Sequence, residues 1–204
     1  MDEITSGVAA YYARTLEQFG PTPRGVDWNS EEAQDVRFSA LLSVCREMPY
    51  SLLDFGCGYG ALAERVMATG ACTRYDGFDI APAMVAQARA LHAAPGFTFH
   101  DDIASVPQAD YTVASGIFGV KGEVPNDAWL AYIYETIDRL AEHSGKGFSF
   151  NALTAYSDPE KMRSDLYYAD PHALFERVYR RYSRHVALVH DYGLYEFTIR
   201  VSLD

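Results

Sequence analysis

Cysteine is scarce in this sequence, and the spacing of the few thiols excludes two classes of small protein. The 204 residues include three cysteines, Cys45, Cys57 and Cys72, and no CxxC pair is present. Disulfide frameworks and zinc knuckles need more regularly patterned thiols, so we expect neither, and we expect no bound metal. Reduced cysteines fit the cytosol, which makes a cytoplasmic protein the expectation.

Long apolar runs are missing too. No stretch approaches the roughly 18 residues of a membrane span, and the chain starts with MDEITSGVAAYY, which has acids instead of a basic, apolar leader. Apolar residues make up 49% of the chain and charged residues 22%, a globular composition. We therefore expect one domain over residues 1–204 with no membrane contact, as a monomer or a homodimer.

Basic residues are outnumbered, 17 Lys and Arg against 28 Asp and Glu, for a formal net charge of -11. Such a surface repels polyphosphates, so nucleic-acid binding would need a local exception. The candidate is FERVYRRYSRH, with arginines at positions 177, 180, 181 and 184. That spacing is more typical of the solvated face of a helix, and RNA stays only as an alternative.

The remaining sequence alternates between strand and helix patterns. A helix is predicted over 31–47, capped by Asn29 or Ser30. Strands are then predicted at 51–55, 75–80, 96–100, 109–118 and 145–153, and further helices at 61–70, 82–93, 128–144 and 171–183. This alternation predicts a parallel sheet with helices on both faces. Two last strands, 184–190 and 194–201, are joined so tightly that they must pair antiparallel.

A glycine-rich turn, LLDFGCGYG over Leu52–Gly60, lies between the first strand and its helix. Glycines let the chain turn sharply and let a ligand approach bare backbone. Asp54 precedes the glycines, and Asp79 ends the next strand, where an acid is placed to accept both hydroxyls of a ribose. These offsets predict a nucleoside pocket.

The acid at Asp54 decides between two kinds of nucleoside. A dinucleotide brings a pyrophosphate that favours GxGxxG, but the third glycine of that pattern falls on Ala61, and Asp54 repels phosphates. A carboxylate attracts an ammonium through charge-assisted hydrogen bonds. S-adenosylmethionine has an ammonium and a sulfonium and lacks phosphate, so it is the predicted ligand.

LLDFGCGYG followed by YDGFDIAPAMVAQARA resembles the first two motifs of the class I S-adenosylmethionine-dependent methyltransferases. FHDDIASVPQADYTVASGIF is similar to the next segments of that family, and the likeness covers residues 52–118. The resemblance implies a Rossmann-like α/β fold with a mostly parallel seven-stranded sheet, a C-terminal antiparallel hairpin and helices on both faces. It also implies methyl transfer, with S-adenosylhomocysteine as the product.

Carried over by position, the resemblance implies a cofactor site. Its members are Asp54, Gly56, Cys57 and Gly58 for the methionine end, Asp79 for the ribose, Ile80 and Met84 for the adenine faces, Asp102 and Ile103 for the adenine edge, and Ser115 with Gly116 near the sulfonium. Asp101 competes with Asp102, and simple packing is an equal alternative for Met84.

The chain outside these motifs is assigned by position. Residues 1–48 are expected to form a helical cap, 49–152 the cofactor-binding core, and 153–204 an acceptor lid with a helix and the terminal hairpin. Trp28 and Arg37 are expected at the cofactor, with Arg37 pointing at the methionine carboxylate. A salt bridge from Arg37 to Asp35 or Glu32 is the open alternative.

Acceptor residues are expected on loops at the carboxyl ends of the strands. The candidates for substrate binding are Tyr11, which with Tyr12 closes the mouth of the crevice, Asn151 after the fifth strand, Tyr156, Tyr167 and Tyr168 on the polar lid, and Tyr192 in the last turn. His190 and Asp191 are the acid and base pair that the residue types favour, with a structural histidine of the hairpin as the alternative. Lys121 is a candidate for an anionic acceptor, with a solvated loop lysine as the alternative.

The expected reaction is methyl transfer to a small polar molecule, with oxygen slightly ahead of nitrogen. The C-terminal segments are similar to those of small stand-alone methyltransferases of polysaccharide or natural-product pathways. A protein or RNA methyltransferase that uses the arginine helix, and a non-catalytic S-adenosylmethionine-binding protein, are the two alternatives.

Overall fold

A seven-stranded sheet organises the chain. The computed structural model describes residues 3–28, 30–93 and 95–203, apart from the side chain of Met67. The strands are β1 (Tyr50–Phe55), β2 (Cys72–Phe78), β3 (Phe97–His100), β4 (Ala109–Ala114), β5 (Ser144–Leu153), β6 (His185–Val189) and β7 (Glu196–Ser202). The helices are α1 (Glu3–Phe19), α2 (Glu31–Leu42), α3 (Ala61–Thr69), α4 (Pro82–Leu91), α5 (Asn126–Glu142) and α6 (Pro171–Arg181).

The strand order is β3-β2-β1-β4-β5-β7-β6. β1 to β5 run parallel to their neighbours, whereas β7 is antiparallel to both β5 and β6. The predicted fold class and the terminal hairpin are thus confirmed. Because the order reverses between β1 and β4, a crevice forms at the carboxyl ends of these two strands, where open α/β sheets bind ligands.

Alternating side chains of the strands build an apolar core on each face of the sheet. Leu52 packs with residues of α2, α3 and α4, and Leu53 packs on the opposite face with residues of α5 and α6. Both leucines are fully buried. The continuous apolar run of β1 is therefore the pattern of a strand covered on both faces.

α2 begins as predicted and ends early. Its N-cap is Ser30, whose hydroxyl accepts a hydrogen bond from the Ala33 N–H at 3.2 Å; Asn29 lies outside the described residues. The helix ends at Leu42, five residues before the predicted end, because the amide of Cys45 bonds back to the Leu42 carbonyl in a tighter turn.

α1 lies at the carboxyl edge of the sheet. It belongs to the segment 1–48, which was expected to form a helical cap. Tyr12 and Leu16 of α1 pack on a small buried cluster formed by Tyr59, Ala81 and Met84. A short 3₁₀ helix, Pro23–Val26, follows α1 and packs against it. These elements cover one side of the crevice.

The polar segment between β5 and α6 is a loop with a 3₁₀ turn at Pro159–Lys161. Isolated bridges join Val120 to Leu166 and Thr154 to Ala169, which hold the loop beside the chain that follows β4. No helix among the residues that the structure describes has both the length and the apolarity to cross a bilayer.

The arginines at the end of α6 are matched by acids, as expected for a solvated helix face. Arg181 bonds the carboxylate of Asp138 at 2.6 Å, and Arg180 pairs with Glu176 four residues earlier. Arg177 stacks on the ring of Tyr134, 3.9 Å from its centroid. The basic stretch is thus largely neutralised by its neighbours.

Candidate functional site

The glycine turn after β1 is packed tightly against two other loops. Gly56 and Gly58 both have positive φ, 83° and 55°. A Cβ on Gly56 would lie 2.2 Å from the side chain of Ile117, and one on Gly58 would lie 3.1 Å from Val26. Glycine is therefore required here by backbone conformation and by the close approach of the chain after β4.

A cavity of about 60 Å³, called here the turn cavity, opens against this turn. Seven residues assigned to the cofactor from the sequence line it, namely Trp28, Asp54, Gly56, Cys57, Gly58, Ser115 and Gly116. The hydroxyl oxygen of Ser115 is buried and has no hydrogen-bond partner among the described residues. A buried polar atom without a partner is costly, and it marks a position where a ligand atom is accommodated.

Asp54 is the buried acid of the turn cavity. It is 2% exposed, and its Oδ2 accepts a hydrogen bond from the hydroxyl of Tyr75 at 2.7 Å. Burial raises the pKa of Asp54 to about 7, against the lowering effect of the Tyr75 hydrogen bond, and the nearby Asp79 raises it further. A cationic group beside this carboxyl favours its ionised form.

Asp79 follows β2 and fixes the shape of the same turn. Its two oxygens accept hydrogen bonds from the N–H groups of Gly58 at 2.9 Å and Ala81 at 2.8 Å. Burial raises the pKa of Asp79 to about 6, although both N–H groups oppose the shift. The carboxylate lies at the tip of the second strand, as the sequence predicts.

The residues assigned to the adenine lie on the segments that follow β2 and β3. Met84 is 1% exposed and packs in the cluster beneath α1. This position agrees with the alternative that Met84 is a packing residue of its helix. Ile80 and Ile103 are partly buried against the core. Asp102 is exposed and caps a short 3₁₀ turn by accepting a hydrogen bond from the Ala104 N–H at 3.0 Å.

A second cavity of about 500 Å³, called here the lid cavity, lies between the N-terminal segment, the ends of β5 and β7, and the polar loop. Asn151 and Tyr168 line it, as expected for the acceptor side. Its volume is within the range of about 300 to 1,000 Å³ that small-molecule sites usually have. The turn cavity is far below that range.

The two cavities share one wall. Tyr12, Val26, Trp28 and Gly116 line both of them. Gly116 has a φ of 73°, and a Cβ there would lie 3.0 Å from the indole of Trp28. The indole thus sits directly against the backbone that follows β4.

A buried polar chain forms the floor of the lid cavity. Arg37 donates through Nε and Nη2 to the carboxylate of Glu196, with Nε 2.9 and 2.8 Å from the two oxygens. Asn151 donates to Glu196 at 2.7 Å and accepts from the Gly116 N–H at 2.7 Å. The chain therefore connects α2, β7 and β5 to the wall between the cavities.

Arg37 does not pair with Asp35 or Glu32, the partners of the alternative expectation. It lines the lid cavity and not the turn cavity, and its ion-pair partner is Glu196 instead of Asp35 or Glu32. Asp35 is occupied by Arg65. The sequence could not reveal this pair because Glu196 is 159 positions away from Arg37. The signal that was missed is an acid inside the apolar run LYEFTIRV, since a buried acid needs a partner.

The expected acid and base pair is not placed in either cavity. His190 and Asp191 are exposed in the turn between β6 and β7, because this hairpin forms the outer edge of the sheet. The ring of His190 lies near Tyr156 and Phe197. These positions argue against a catalytic role for the two residues.

Lys121 is also absent from the lid cavity. Its ammonium donates to the carbonyls of Gly122 and Val124, at 3.2 and 3.3 Å, and so closes the turn after β4. The side chain lines a separate groove beside α1. These contacts favour the alternative, in which Lys121 is a loop lysine without a role in acceptor binding.

The expected lid tyrosines are divided. Tyr156 is 64% exposed and faces away from the cavities, and Tyr167 packs against the core. Tyr192 bonds the hydroxyl of Thr198 at 3.0 Å. Tyr11 lies beside Asp27 and Arg163, outside the lid cavity and in the groove along α1.

Several lining residues were not found from the sequence. They are Gln34, Phe38 and Tyr59 in the turn cavity, and Asp27, Lys161, Arg163 and Glu196 in the lid cavity. Charged residues on loops follow no periodic pattern, so the sequence does not indicate which way their side chains point. The described residues contain no cluster of His, Cys, Asp and Glu suited to a metal ion.

Known proteins are similar to this chain in sequence or in fold. A family model described as a methyltransferase domain matches residues 52–143. "Putative methyltransferase Rv1506c" of Mycobacterium tuberculosis is 53% identical over 156 residues, which cover 75% of this chain and 93% of that protein.

Two solved structures have the same fold at low identity. Magnesium protoporphyrin IX methyltransferase of Synechocystis PCC 6803 with bound S-adenosylmethionine has a TM-score of 0.67 and 14% identity, over 100% of this chain and 99% of that chain. The N-methyltransferase NodS of Bradyrhizobium japonicum WM9 with S-adenosylhomocysteine has a TM-score of 0.67 and 16% identity, over 96% and 98%.

The sheet order, the terminal hairpin and the acid-flanked glycine turn define the Rossmann-like class I methyltransferase fold. With the family model and the mycobacterial relative, the chain belongs to the S-adenosylmethionine-dependent methyltransferase family and is an enzyme.

Proposed function

We propose that this enzyme transfers a methyl group from S-adenosylmethionine to an oxygen or nitrogen of a small polar molecule. The donor binds at the turn cavity and the acceptor binds in the lid cavity. The observation that carries this proposal is the wall that the two cavities share at Tyr12, Val26, Trp28 and Gly116. Transfer needs two reactants in line across one short gap, and adjoining cavities meet that requirement.

The residues of the turn cavity fit the methionine part of the cofactor. Asp54 supplies a buried acid for an ammonium, and the unpartnered hydroxyl of Ser115 offers a further hydrogen bond. Asp79 is assigned to the ribose hydroxyls, although its oxygens already accept two backbone hydrogen bonds. Each carboxylate oxygen has a second lone pair for a ribose hydroxyl.

The adenine part requires α1 to shift. Ile80, Met84 and the 102–103 segment are the proposed adenine contacts, yet Met84 is buried beneath Tyr12 and Leu16 of α1. The turn cavity alone is too small for the whole cofactor. We therefore assign to α1 the role of a cover that opens and closes over the adenosine.

When bound, S-adenosylmethionine supplies a methyl carbon that the acceptor attacks as the carbon–sulfur bond breaks. The protein's part is alignment and exclusion of water. Trp28 and Tyr12 close the shared wall, and Asn151 holds the Gly116 backbone through its hydrogen bond. Glu196 already accepts hydrogen bonds from Arg37 and Asn151, whereas Asp27 has a looser ion pair with Arg163, at 3.8 Å, and the Tyr11 hydroxyl beside it. We therefore assign the proton-accepting role to Asp27.

The division of the chain and its charge distribution extend the proposal to the acceptor class and the location of the enzyme. Residues 1–48 form the cap, 49–152 the cofactor-binding core and 153–204 the acceptor side of one domain. The paired arginines of α6 and the net acidity favour a small molecule over RNA or a protein. We assign the enzyme to the cytoplasm, with oxygen transfer ahead of nitrogen transfer.

Calorimetric titration with S-adenosylhomocysteine, together with turnover of S-adenosylmethionine on a panel of small acceptors, tests this function. We expect binding to the wild type and binding at least about tenfold weaker in Asp79→Ala, because the ribose hydroxyls lose their partner. Glu142→Ala, at an exposed acid on the far end of α5, serves as the matched control. Binding of NAD in place of S-adenosylhomocysteine, or equal affinity in Asp79→Ala, would contradict the assignment.

A further inference from the structure

Arg37 is a buried cation whose hydrogen-bonding capacity is only partly used. The residue is 8% exposed, and its Nε and Nη2 both donate to Glu196. Its Nη1 is buried and has no hydrogen-bond partner among the described residues. Two unmatched N–H groups on a buried guanidinium are costly, so this end of the side chain is suited to an additional acceptor atom.

The surroundings of the guanidinium leave one direction open. The Trp28 ring covers one face, with its centroid 4.8 Å from the Cζ atom, and Glu196 occupies the edge of Nε and Nη2. The edge that carries Nη1 remains, and Arg37 is part of the lining of the lid cavity. Nη1 itself is shielded from solvent, so a ligand oxygen in that cavity pairs with it once a neighbouring side chain moves aside.

One cation of the lid cavity has no acid paired with it. Arg37 pairs with Glu196, and Arg163 pairs with Asp165 and Asp27. Lys161 also lines the cavity and has no ion-pair partner within the described part of the chain. In a chain with a net charge of -11, an unpaired lysine near the unpartnered Nη1 of Arg37 favours an anion at this place.

Resting on the proposed function, we propose that the methyl acceptor carries an oxyanion, a carboxylate or a phosphate, that binds to Nη1 of Arg37. Lys161 adds a second positive charge at the loop side of the cavity. Leu153, Leu166 and Tyr168 line the same cavity and contact the apolar part of the acceptor. An arginine edge suits this task because its planar donors match the oxygens of a carboxylate or phosphate.

The methionine carboxylate of the cofactor is the competing occupant of Nη1. Arg37 does not line the turn cavity, where Asp54 and Ser115 lie, which favours the acceptor. The two occupants predict different results for Arg37→Lys. This variant keeps a cation opposite Glu196 and removes the Nη1 donors. If the methionine carboxylate binds Nη1, the variant binds S-adenosylhomocysteine more weakly than the wild type. If the oxyanion of the acceptor binds Nη1, the affinity for S-adenosylhomocysteine does not change.

The test uses the full-length protein saturated with S-adenosylhomocysteine and titrated with benzoate, phenyl phosphate and the neutral benzamide, followed by NMR. We expect benzoate or phenyl phosphate to bind at least about tenfold more tightly than benzamide. Whichever of the two anions binds more tightly identifies the oxyanion as a carboxylate or a phosphate. In Arg37→Lys and in Lys161→Gln the preference over benzamide shrinks, while the affinity for S-adenosylhomocysteine stays at the wild-type level.

Lys146→Gln is the matched control, because Lys146 lies near the amino end of β5 and pairs with Glu47 and Asp110. It removes the same charge and should leave the preference unchanged. Arg37→Gln combined with Glu196→Gln replaces the ion pair by an amide pair, and serves as the arginine-free variant if Arg37→Lys does not fold.

The outcomes separate the two proposals. Absence of S-adenosylhomocysteine binding to the wild type overturns the proposed function. Normal S-adenosylhomocysteine binding with no preference for the anions, or with a preference that survives in both arginine variants, overturns the oxyanion site alone. If Arg37→Lys loses affinity for S-adenosylhomocysteine but not for benzoate, the methionine carboxylate is the group that binds Arg37. This result also overturns the oxyanion site.

Discussion

At the scale of residues, two buried carboxyl groups set the electrostatics of the site. Burial raises the pKa of Asp54 to about 7 and that of Asp79 to about 6. In an unfolded chain both groups ionise near pH 4. The folded protein therefore retains protons on them over a range in which the unfolded chain has lost them.

The first prediction concerns stability against pH. A raised carboxyl pKa contributes stability that is present below about pH 4 and is lost as the pH rises to about 7. Asp54→Asn removes this contribution, so its free energy of unfolding should increase relative to the wild type as the pH rises from 4 to 7. Urea unfolding of both proteins at several pH values measures the difference. A difference that does not change with pH would contradict the raised pKa.

The second prediction concerns protons released by the cofactor. An ammonium bound beside Asp54 favours the ionised carboxyl, so binding near pH 6.5 should release protons in proportion to the protonated fraction of the free enzyme. Calorimetry in two buffers of different ionisation enthalpy detects this release. We expect Asp54→Asn to abolish most of it. Equal heats in the two buffers for the wild type would refute the pairing.

The third prediction separates two candidate proton acceptors. Asp27 lines the lid cavity, whereas His190 is exposed on the outer hairpin. With an acceptor that loses its proton during transfer, we expect Asp27→Asn to lower kcat by about a hundredfold or more, and His190→Ala to leave it unchanged. Single-turnover kinetics with matched cofactor saturation measures both. A slow His190→Ala enzyme beside a normal Asp27→Asn enzyme would reverse the assignment.

At the scale of elements, α1 is the helix held least firmly. Of its 17 residues only Thr5 is buried, whereas the 17 residues of α5 include five that are buried. Helices with few buried contacts open at low free-energy cost. This weak attachment suits an element that has to leave the adenosine region and return.

The fourth prediction concerns the hydrogen-exchange rates of the α1 amides. The amides of α1 should exchange faster than those of α5 in the ligand-free enzyme, and S-adenosylhomocysteine should slow them. Hydrogen-exchange mass spectrometry resolves the two helices, with α5 as the internal control. Exchange in α1 as slow as in α5, or unaffected by ligand, would contradict its role as a cover.

At the scale of the whole molecule, the sequence predicted the alternation of elements and their order along the chain. Glycine at position 70 and proline at 82 mark helix boundaries, and the short turn before β7 forces an antiparallel pair. Such signals are local, so they survive without knowledge of tertiary contacts. The glycine turn and its two acids were predicted for the same reason, because they lie at the ends of β1 and β2.

The acceptor side was predicted less well, since it depends on contacts between distant segments. The partnership of Arg37 with Glu196 and the outward direction of His190 follow from how α2 and the β6–β7 hairpin pack on the sheet. Residue type alone favoured the histidine. The acid inside the apolar run LYEFTIRV was a local signal that Glu196 is buried, but the identity of its partner depends on tertiary packing.

The most direct test of the central claim is a crystal structure of the enzyme with S-adenosylhomocysteine. Our account predicts the ammonium at Asp54, the ribose at Asp79 and the sulfur at the wall formed by Trp28 and Gly116, on the side that opens to the lid cavity. Sulfur buried away from that wall, or a ligand bound outside the glycine turn, would contradict the account.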